Sequence, residues 1–230
     1  MDQNFDRFAE NYDVELAKGL SATGEDKQYF AKARIKWLVK FLGPEGVRNC
    51  RAIMDFGCGD GGSIPFLVEE FDPTRLTGVD LSSESIRIAA RSYEMLGGVE
   101  FKDLRSFVPN GEFDLVFTNG VFHHIPPNER TEAFFYCYRS LRRGGYLILW
   151  ENNPWNLGTR YVMSRIPFDR DAIMLYPSET TRSMRQAGFQ IEKKDFQFIF
   201  PSFLKRLRGL EPMLSSLPLG GQYVIAGRKL

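Results

Sequence analysis

Short apolar runs alternate with longer stretches at helical spacing along most of this chain. Residues 51–54, 76–79, 113–118, 145–149 and 222–226 read as strands, whereas 64–70, 84–95, 131–141 and 179–187 read as helices. Strands alternating with helices predict a parallel sheet covered on both faces. Loops that follow the strand C-termini share one edge of such a sheet. Gly57, Asp80, Asp103 and Asn119 are therefore expected around one crevice despite their separation in sequence.

The most distinctive loop follows the first strand: Asp55-Phe56-Gly57-Cys58-Gly59-Asp60, then Gly61 and Gly62. Glycines there let the backbone turn sharply and approach a ligand without a Cβ in the way. Gly57, Gly59 and Gly62 also match the dinucleotide pattern G-x-G-x-x-G, a weak signal by itself. About twenty residues on, the strand Leu76-Thr77-Gly78-Val79 ends in Asp80, where a ribose-binding carboxylate belongs in a strand-helix-strand unit. Ser82 and Ser83 are cap candidates for the next helix and bring backbone N–H groups to the same edge.

With an acidic residue, one spacer and then G-x-G-x-G (Asp55, Gly57, Gly59, Gly61), the chain resembles the class I S-adenosylmethionine-dependent methyltransferases, in their small-molecule, ubiquinone-methylase-like branch. The likeness continues through Asp80-Leu81, Phe101-Lys102-Asp103-Leu104, Phe113-Asp114-Leu115-Val116-Phe117-Thr118-Asn119-Gly120 and Leu141-Arg142-Arg143-Gly144-Gly145-Tyr146-Leu147-Ile148-Leu149, in the family's order. It implies a Rossmann-like, doubly wound sheet of seven strands, mostly parallel with an antiparallel last strand. It also implies S-adenosylmethionine as cofactor, with S-adenosylhomocysteine as product. On the family's pattern Gly57, Cys58, Gly59 and Gly61 meet the methionyl part, Asp80 and Leu81 the ribose, Asp103 and Leu104 the adenine. Asn119, Gly120 and His124 line the opposite wall, and Asp55 organises the loop or meets the cofactor's amino group through water. A cofactor without phosphate accounts for the lack of a P-loop lysine beside these glycines.

Additions to this core carry the expected specificity. The domain is read as a helical cover (1–45), a cofactor-binding core (50–150), a lid or acceptor loop (152–177) and a C-terminal sheet half (178–230). In the cover, Phe5, Phe8 and Tyr12 suit an amphipathic helix, and Tyr12 is a candidate cofactor contact. The next helix, 25–42, groups Phe30, Trp37, Leu38 and Phe41 on one face with Arg34 among them; a guanidinium so placed needs an anion, and the resemblance suggests the cofactor's carboxylate. A connection as long as 152–177 is usually a lid or binding loop. The stretch 203–208, apolar and basic, is read as a covering helix with solvated cations, with docking to a membrane surface as the alternative.

Candidate chemistry rests on the only two histidines, His123 and His124, and on Glu151 at the end of a strand. A neutral imidazole can take a proton near pH 7 from a hydroxyl or enolisable acceptor. Adjacent residues are expected to point apart, so one histidine faces the pocket, and no metal site is expected. In-line displacement at the sulfonium methyl group otherwise needs mainly alignment and exclusion of water.

The predicted acceptor is a small molecule: a sugar, a lipid-like intermediate or a specialised metabolite. A noncatalytic S-adenosylmethionine-binding protein is the alternative, and a nicotinamide-dependent oxidoreductase a weaker one. With 230 residues, 43% of them hydrophobic, the chain suits one domain, and a net charge of +1 gives no general attraction to nucleic acid. Three cysteines (Cys50, Cys58, Cys137) without paired spacing suggest neither a disulfide framework nor zinc, hence a cytoplasmic setting. No apolar run approaches a membrane span, so stable insertion is not expected, and the protein is read as a monomer or homodimer.

Overall fold

The computed structural model describes residues 12–230, the side chain of Tyr12 excepted. The expectations for Phe5, Phe8 and the Tyr12 side chain thus lie outside the described residues. Among the described residues, seven strands form one sheet: β1 (Ala52–Phe56), β2 (Arg75–Asp80), β3 (Val99–Asp103), β4 (Phe113–Asn119), β5 (Leu141–Asn152), β6 (Phe189–Gln197) and β7 (Gln222–Lys229). Their spatial order is β3-β2-β1-β4-β5-β7-β6. The pairs from β3 to β5 are parallel, and β7 runs antiparallel to both β5 and β6, as expected of this fold. Strand order reverses between β1 and β4, which leaves a crevice beyond their C-terminal ends.

Strand periodicity explains why both faces are covered. Ile53, Leu115, Ile148 and Val224 point to one face, where Ile35 and Leu38 of α2 (Lys27–Asn49) and Ile64, Leu67 and Phe71 of α3 (Ile64–Phe71) meet them. Their chain neighbours Met54, Val116, Leu147, Leu149 and Ile225 point to the other. There Phe134 and Cys137 of α5 (Arg130–Ser140) and Met184 of α7 (Pro177–Gln186) pack. Most residues of β1, β4 and β7 are buried, so their runs are mainly apolar rather than strictly alternating.

Three elements depart from expectation. The 25–42 helix runs on to Asn49 through a kink at Gly43 (φ 68°) and Pro44, and its buried stripe is Ala31, Ile35 and Leu38. Arg34 therefore sits at the margin of that stripe, not in its middle. The expected loop 152–177 contains α6 (Leu157–Ser164), capped by Asn156, whose side chain accepts from the Thr159 N–H. The stretch around 203–208 is not a covering helix. It is a 3₁₀ segment (Ser202–Leu210) leading into α8 (Glu211–Leu214), with no buried residue in either. No helix among the described residues is long and apolar enough to cross a membrane.

Candidate active site

The crevice at the reversal point has a volume of about 1090 Å³. Its floor is the turn after β1. Gly57 and Cys58 donate backbone N–H groups to the Val79 carbonyl (2.8 and 3.1 Å), which ties the turn to β2. Three glycines of the turn have positive φ, but for different reasons. A Cβ on Gly57 would strike Val121, and one on Gly61 would strike Tyr93, so both positions are closed by packing. Gly59 (φ 54°) alone opens onto free space, and it lines the crevice whereas Gly61 does not. Gly59 is thus the one of these three with an open face for close approach by a ligand.

Asp80 holds the turn in place. Its Oδ2 accepts the Gly59 N–H (2.9 Å) and its Oδ1 the Ser82 N–H (2.8 Å), while Ser82 caps α4 (Ser83–Ser92) through the Ser85 N–H. Asp80 itself lines the crevice. Asp55, Asp60 and Asp80 gather around this loop. Burial first, then Asp80 and Asp60, raise the Asp55 carboxyl to about 8, so it is protonated at neutral pH. Burial would lower the Lys27 ammonium, but Asp60 (2.5 Å) and Asp13 (2.8 Å) hold it raised. Lys27 thereby latches α1 (Tyr12–Leu20) and α2 to the glycine turn.

Leu81, Leu104, Asn119, Gly120 and Arg34 also line the crevice. Arg34 donates from Nε to Gln222 Oε1 (2.9 Å) and stands over the rings of Phe30 and Phe198. Phe198 is held at φ 64°, rare for an aromatic residue. Asp103 is not brought in: its carboxylate accepts the Arg105 N–H (2.8 Å) and pairs with the Arg105 guanidinium (3.0 Å), away from the lining. The expected meeting of Asp103 with adenine is corrected by this local pairing two residues along the chain.

The opposite wall carries a titratable cluster. A 3₁₀ turn (Phe122–His124) sets the two imidazoles side by side, ring centroids 4.1 Å apart and planes tilted by 50°, and both line the crevice, contrary to the expectation that they diverge. Asp169 Oδ1 faces both Nε2 atoms, at 3.5 Å for His123 and 3.3 Å for His124. These three groups place ligand-type atoms within 4.8 Å of one another, so adjacency in sequence does not keep the histidines from sharing a centre. Glu151 is corrected too. It lies behind the wall, accepting the Phe122 N–H (2.7 Å) and facing His123 Nδ1 (2.6 Å), and it does not line the crevice. As a β5 residue beside Tyr223 of β7, it is directed into the core.

The cluster splits the two histidines electrostatically. Burial would lower His123, but Glu151 and Asp169 outweigh it and raise the imidazole to about 10, a fixed cation. Burial and the charge of His123 lower His124, which stays neutral at pH 7. Sequence reasoning missed Asp169, Lys27 and Phe198, none of which belongs to a recognisable motif. It also missed Arg130, which is buried and donates to the carbonyls of Ile125 (2.9 Å) and Ile173 (2.5 Å) and to Glu179 (3.1 Å). With the Ile173 N–H bonded to the His123 carbonyl (2.9 Å), Arg130 fastens the Asp169 segment to the histidine turn.

An open, mostly parallel sheet with a glycine turn and a strand-end carboxylate at its switch point has the architecture of the nucleotide-binding class of α/β proteins. The model of the family "Methyltransferase domain" matches residues 53–145. A trans-aconitate 2-methyltransferase of Azoarcus sp. (strain BH72) is 32% identical over 147 residues, 63% of this chain and 57% of that protein. Among solved structures, a SAM-dependent methyltransferase of Thermotoga maritima superposes over 100% of both chains with a TM-score of 0.68 at 22% identity. A phosphoethanolamine N-methyltransferase of Haemonchus contortus in complex with S-adenosylmethionine covers 86% of this chain and 52% of its own, with a TM-score of 0.61 at 19% identity. The chain spans a little over half the length of the curated relatives it matches. The matched domain, the named relatives and the shared fold support the class I S-adenosylmethionine-dependent methyltransferase reading suggested by its motifs.

The family's cofactor fits the crevice on the chemistry of its walls. The Asp80 carboxylate, and an Asp55 carboxyl that positive charge nearby would ionise, suit a ligand that carries sulfonium and ammonium charges. Asn119 Oδ1, buried without a hydrogen-bond partner, and the open face of Gly59 add an acceptor and a cradle.

Proposed function

We propose that this protein transfers a methyl group from S-adenosylmethionine to a small-molecule acceptor with an apolar body and a hydroxyl or enol at the reacting end. The observation that carries this reading is the His124–Asp169 pair on the wall of the same crevice that holds the Gly59 turn and Asp80. Bound cofactor supplies an activated, electrophilic methyl group. The residues we assign to hold it are Asp80 for the ribose hydroxyls, Gly59 and Cys58 for backbone approach, and Leu81 and Leu104 as apolar walls. Asp55 and Asn119 serve as acceptors for its cationic part, and Arg34 as partner of its carboxylate.

His124, neutral and in contact with Asp169, is the residue placed to remove the acceptor's proton. Asp169 orients that ring. His123 is a positioning residue, not a base, because Glu151 and Asp169 keep it protonated. Leu16, Tyr161, Val162, Ile166 and Phe168 supply an apolar wall that excludes water and receives the body of the acceptor. The relatives' acceptor, trans-aconitate, is a polycarboxylate whose oxygens are ionised at neutral pH and need no base. The apolar wall and the placed histidine support a protonated acceptor instead.

The test is titration calorimetry with S-adenosylhomocysteine beside NADH, followed by an acceptor panel with wild type and His124→Gln. Selective binding of S-adenosylhomocysteine and a slow His124→Gln enzyme on hydroxyl acceptors support the proposal. Binding of NADH alone would overturn it. Binding without product on any acceptor would favour the noncatalytic alternative, and full rates of His124→Gln on polycarboxylates would transfer the relatives' chemistry to this chain.

A further inference from the structure

Two segments beside the mouth of the crevice expose apolar side chains that nothing in the described structure covers. In the first, Leu157 and Tyr161 of α6 stand in solvent, Leu157 at 77%. In the second, from Ser202 to Leu219, Phe203 (79%) and Met213 (80%) are the most exposed, with Leu207, Leu210, Leu217 and Leu219 about half so. The two segments adjoin: the Asn156 side chain that precedes α6 donates to the Leu219 carbonyl (2.7 Å), and Thr159 Oγ1 to the Gly221 carbonyl (2.7 Å). Exposed apolar side chains concentrated on two adjoining segments of a chain with a well-filled core mark an interaction site rather than ordinary scatter.

Its charge is one-sided. Residues 152–168 contain Arg160 and Arg165 and no acidic residue, and both arginines are exposed. Residues 202–219 contain Lys205, Arg206 and Arg208, with Glu211 as the sole acid. Glu211 is turned inward, where Oε1 accepts the N–H groups of Ile199 (3.2 Å) and Phe200 (2.9 Å). Arg208 is turned inward as well, onto Glu25 (2.8 Å) and the Phe200 carbonyl (3.0 Å). What faces out is Lys205, Arg206, Arg160 and Arg165 among leucines, phenylalanine and methionine, on a chain whose net charge is only +1. Cations interleaved with exposed apolar side chains complement an anionic headgroup layer over acyl chains.

We infer that this face docks reversibly on an anionic lipid bilayer, with Phe203 and Met213 entering the headgroup boundary and Lys205, Arg206, Arg160 and Arg165 meeting the lipid charge. Phe200, Pro201 and Tyr161 line both the crevice and the edge of this face, so its mouth opens next to the lipid. The inference stands on the surface alone and survives failure of the proposed methyl transfer.

The experiment is flotation of the full chain with phosphatidylcholine vesicles and with vesicles containing phosphatidylglycerol, at low and high salt. Wild type, Phe203→Asp/Met213→Asp and Lys205→Glu/Arg206→Glu are compared, with binding of S-adenosylhomocysteine and circular dichroism as checks on folding. Binding to phosphatidylglycerol vesicles that falls about tenfold in each variant, and with salt, while the fold checks hold, is the expected result. Absence of wild-type binding to both vesicles overturns the inference, as does binding unaffected by Phe203→Asp/Met213→Asp. Sedimentation that shows a dimer abolished by Phe203→Asp/Met213→Asp also overturns it, by assigning the face to a second copy of the chain. Binding that emerges only after removal of residues 1–11 overturns it too, by assigning the face to the chain's own N-terminal segment.

Discussion

The two walls of the crevice are built by different means. The glycine-turn wall comes from one contiguous unit, β1 to α4, in which Asp80 bonds the Gly59 and Ser82 amides at close range. The histidine wall is assembled from four distant pieces: the turn after β4, the end of β5, the Asp169 segment and α5. A ligand held mostly by backbone and one carboxylate can be served by local geometry. Proton handling requires charges whose protonation states differ, and that demands partners brought in from several elements.

The largest expected effect breaks the histidine wall. His124→Gln keeps the size and polarity of the side chain but cannot take a proton, and turnover should fall roughly 100-fold or more with S-adenosylhomocysteine affinity unchanged. An equal fall in affinity would move His124 to the cofactor side. In wild type the rate should rise with pH through a value below the ordinary 6.5 of histidine and then level, since burial and His123 lower this group and the deprotonated form is the active one. Chelation by EDTA should leave turnover unchanged; a loss restored by a divalent cation would reassign His123, His124 and Asp169 from proton handling to metal binding.

Asp80→Ala addresses the other wall. It removes the acceptor of two loop amides together with the ribose contact, and S-adenosylhomocysteine affinity should weaken by about 2–3 kcal/mol, roughly 30- to 150-fold. Turnover at saturating cofactor should change far less. An unchanged isotherm would sever Asp80 from the binding site.

A smaller effect ties the cofactor wall to pH. Because Asp55 is protonated up to about pH 8, a ligand that brings positive charge favours its ionised form and releases a proton on binding. Affinity for S-adenosylmethionine should rise with pH up to about 8, and calorimetry in buffers of different ionisation enthalpy should register proton release. Asp55→Asn should abolish both. A pH-independent isotherm would show that Asp55 does not sense the ligand's charge.

A further effect concerns stability. His123 is raised from 6.5 to about 10, so the folded chain holds a proton that the unfolded chain loses above pH 6.5. The stabilisation from its pairing with Glu151 and Asp169 is complete below that pH and is lost as pH rises through 10. Thermal melts of wild type should therefore decline between those limits, and Glu151→Gln should flatten the decline. A slope unaffected by Glu151→Gln would mean that the proton resides elsewhere.

Much of the fold was legible because its signals are local. Apolar runs separated by helical spacing gave the strands, and Gly57, Gly59 and Asp80 mark a turn whose geometry depends on nearby residues. Most residues expected at the cofactor do line one crevice, whereas Gly61 and Asp103 do not, Asp103 being paired with an arginine two positions away. The proton site was read by residue type but not by role. Glu151 and His123 are separated by 28 residues in the chain and by 2.6 Å in space.

By itself, then, the sequence indicated the alternation of strands and helices, the methyltransferase likeness and the place of the glycine turn. These rest on backbone freedom at glycine, on burial periodicity and on short-range hydrogen bonds. Tertiary structure alone decided which histidine carries a charge, that Glu151 backs the wall instead of facing the acceptor, and that Asp169 completes the pair. It also decided that the leucines of 202–219 remain outside. The protonation state of a buried group is a sum of desolvation and Coulomb contributions over neighbours within a few ångströms, and those neighbours are chosen by the packing of the whole domain.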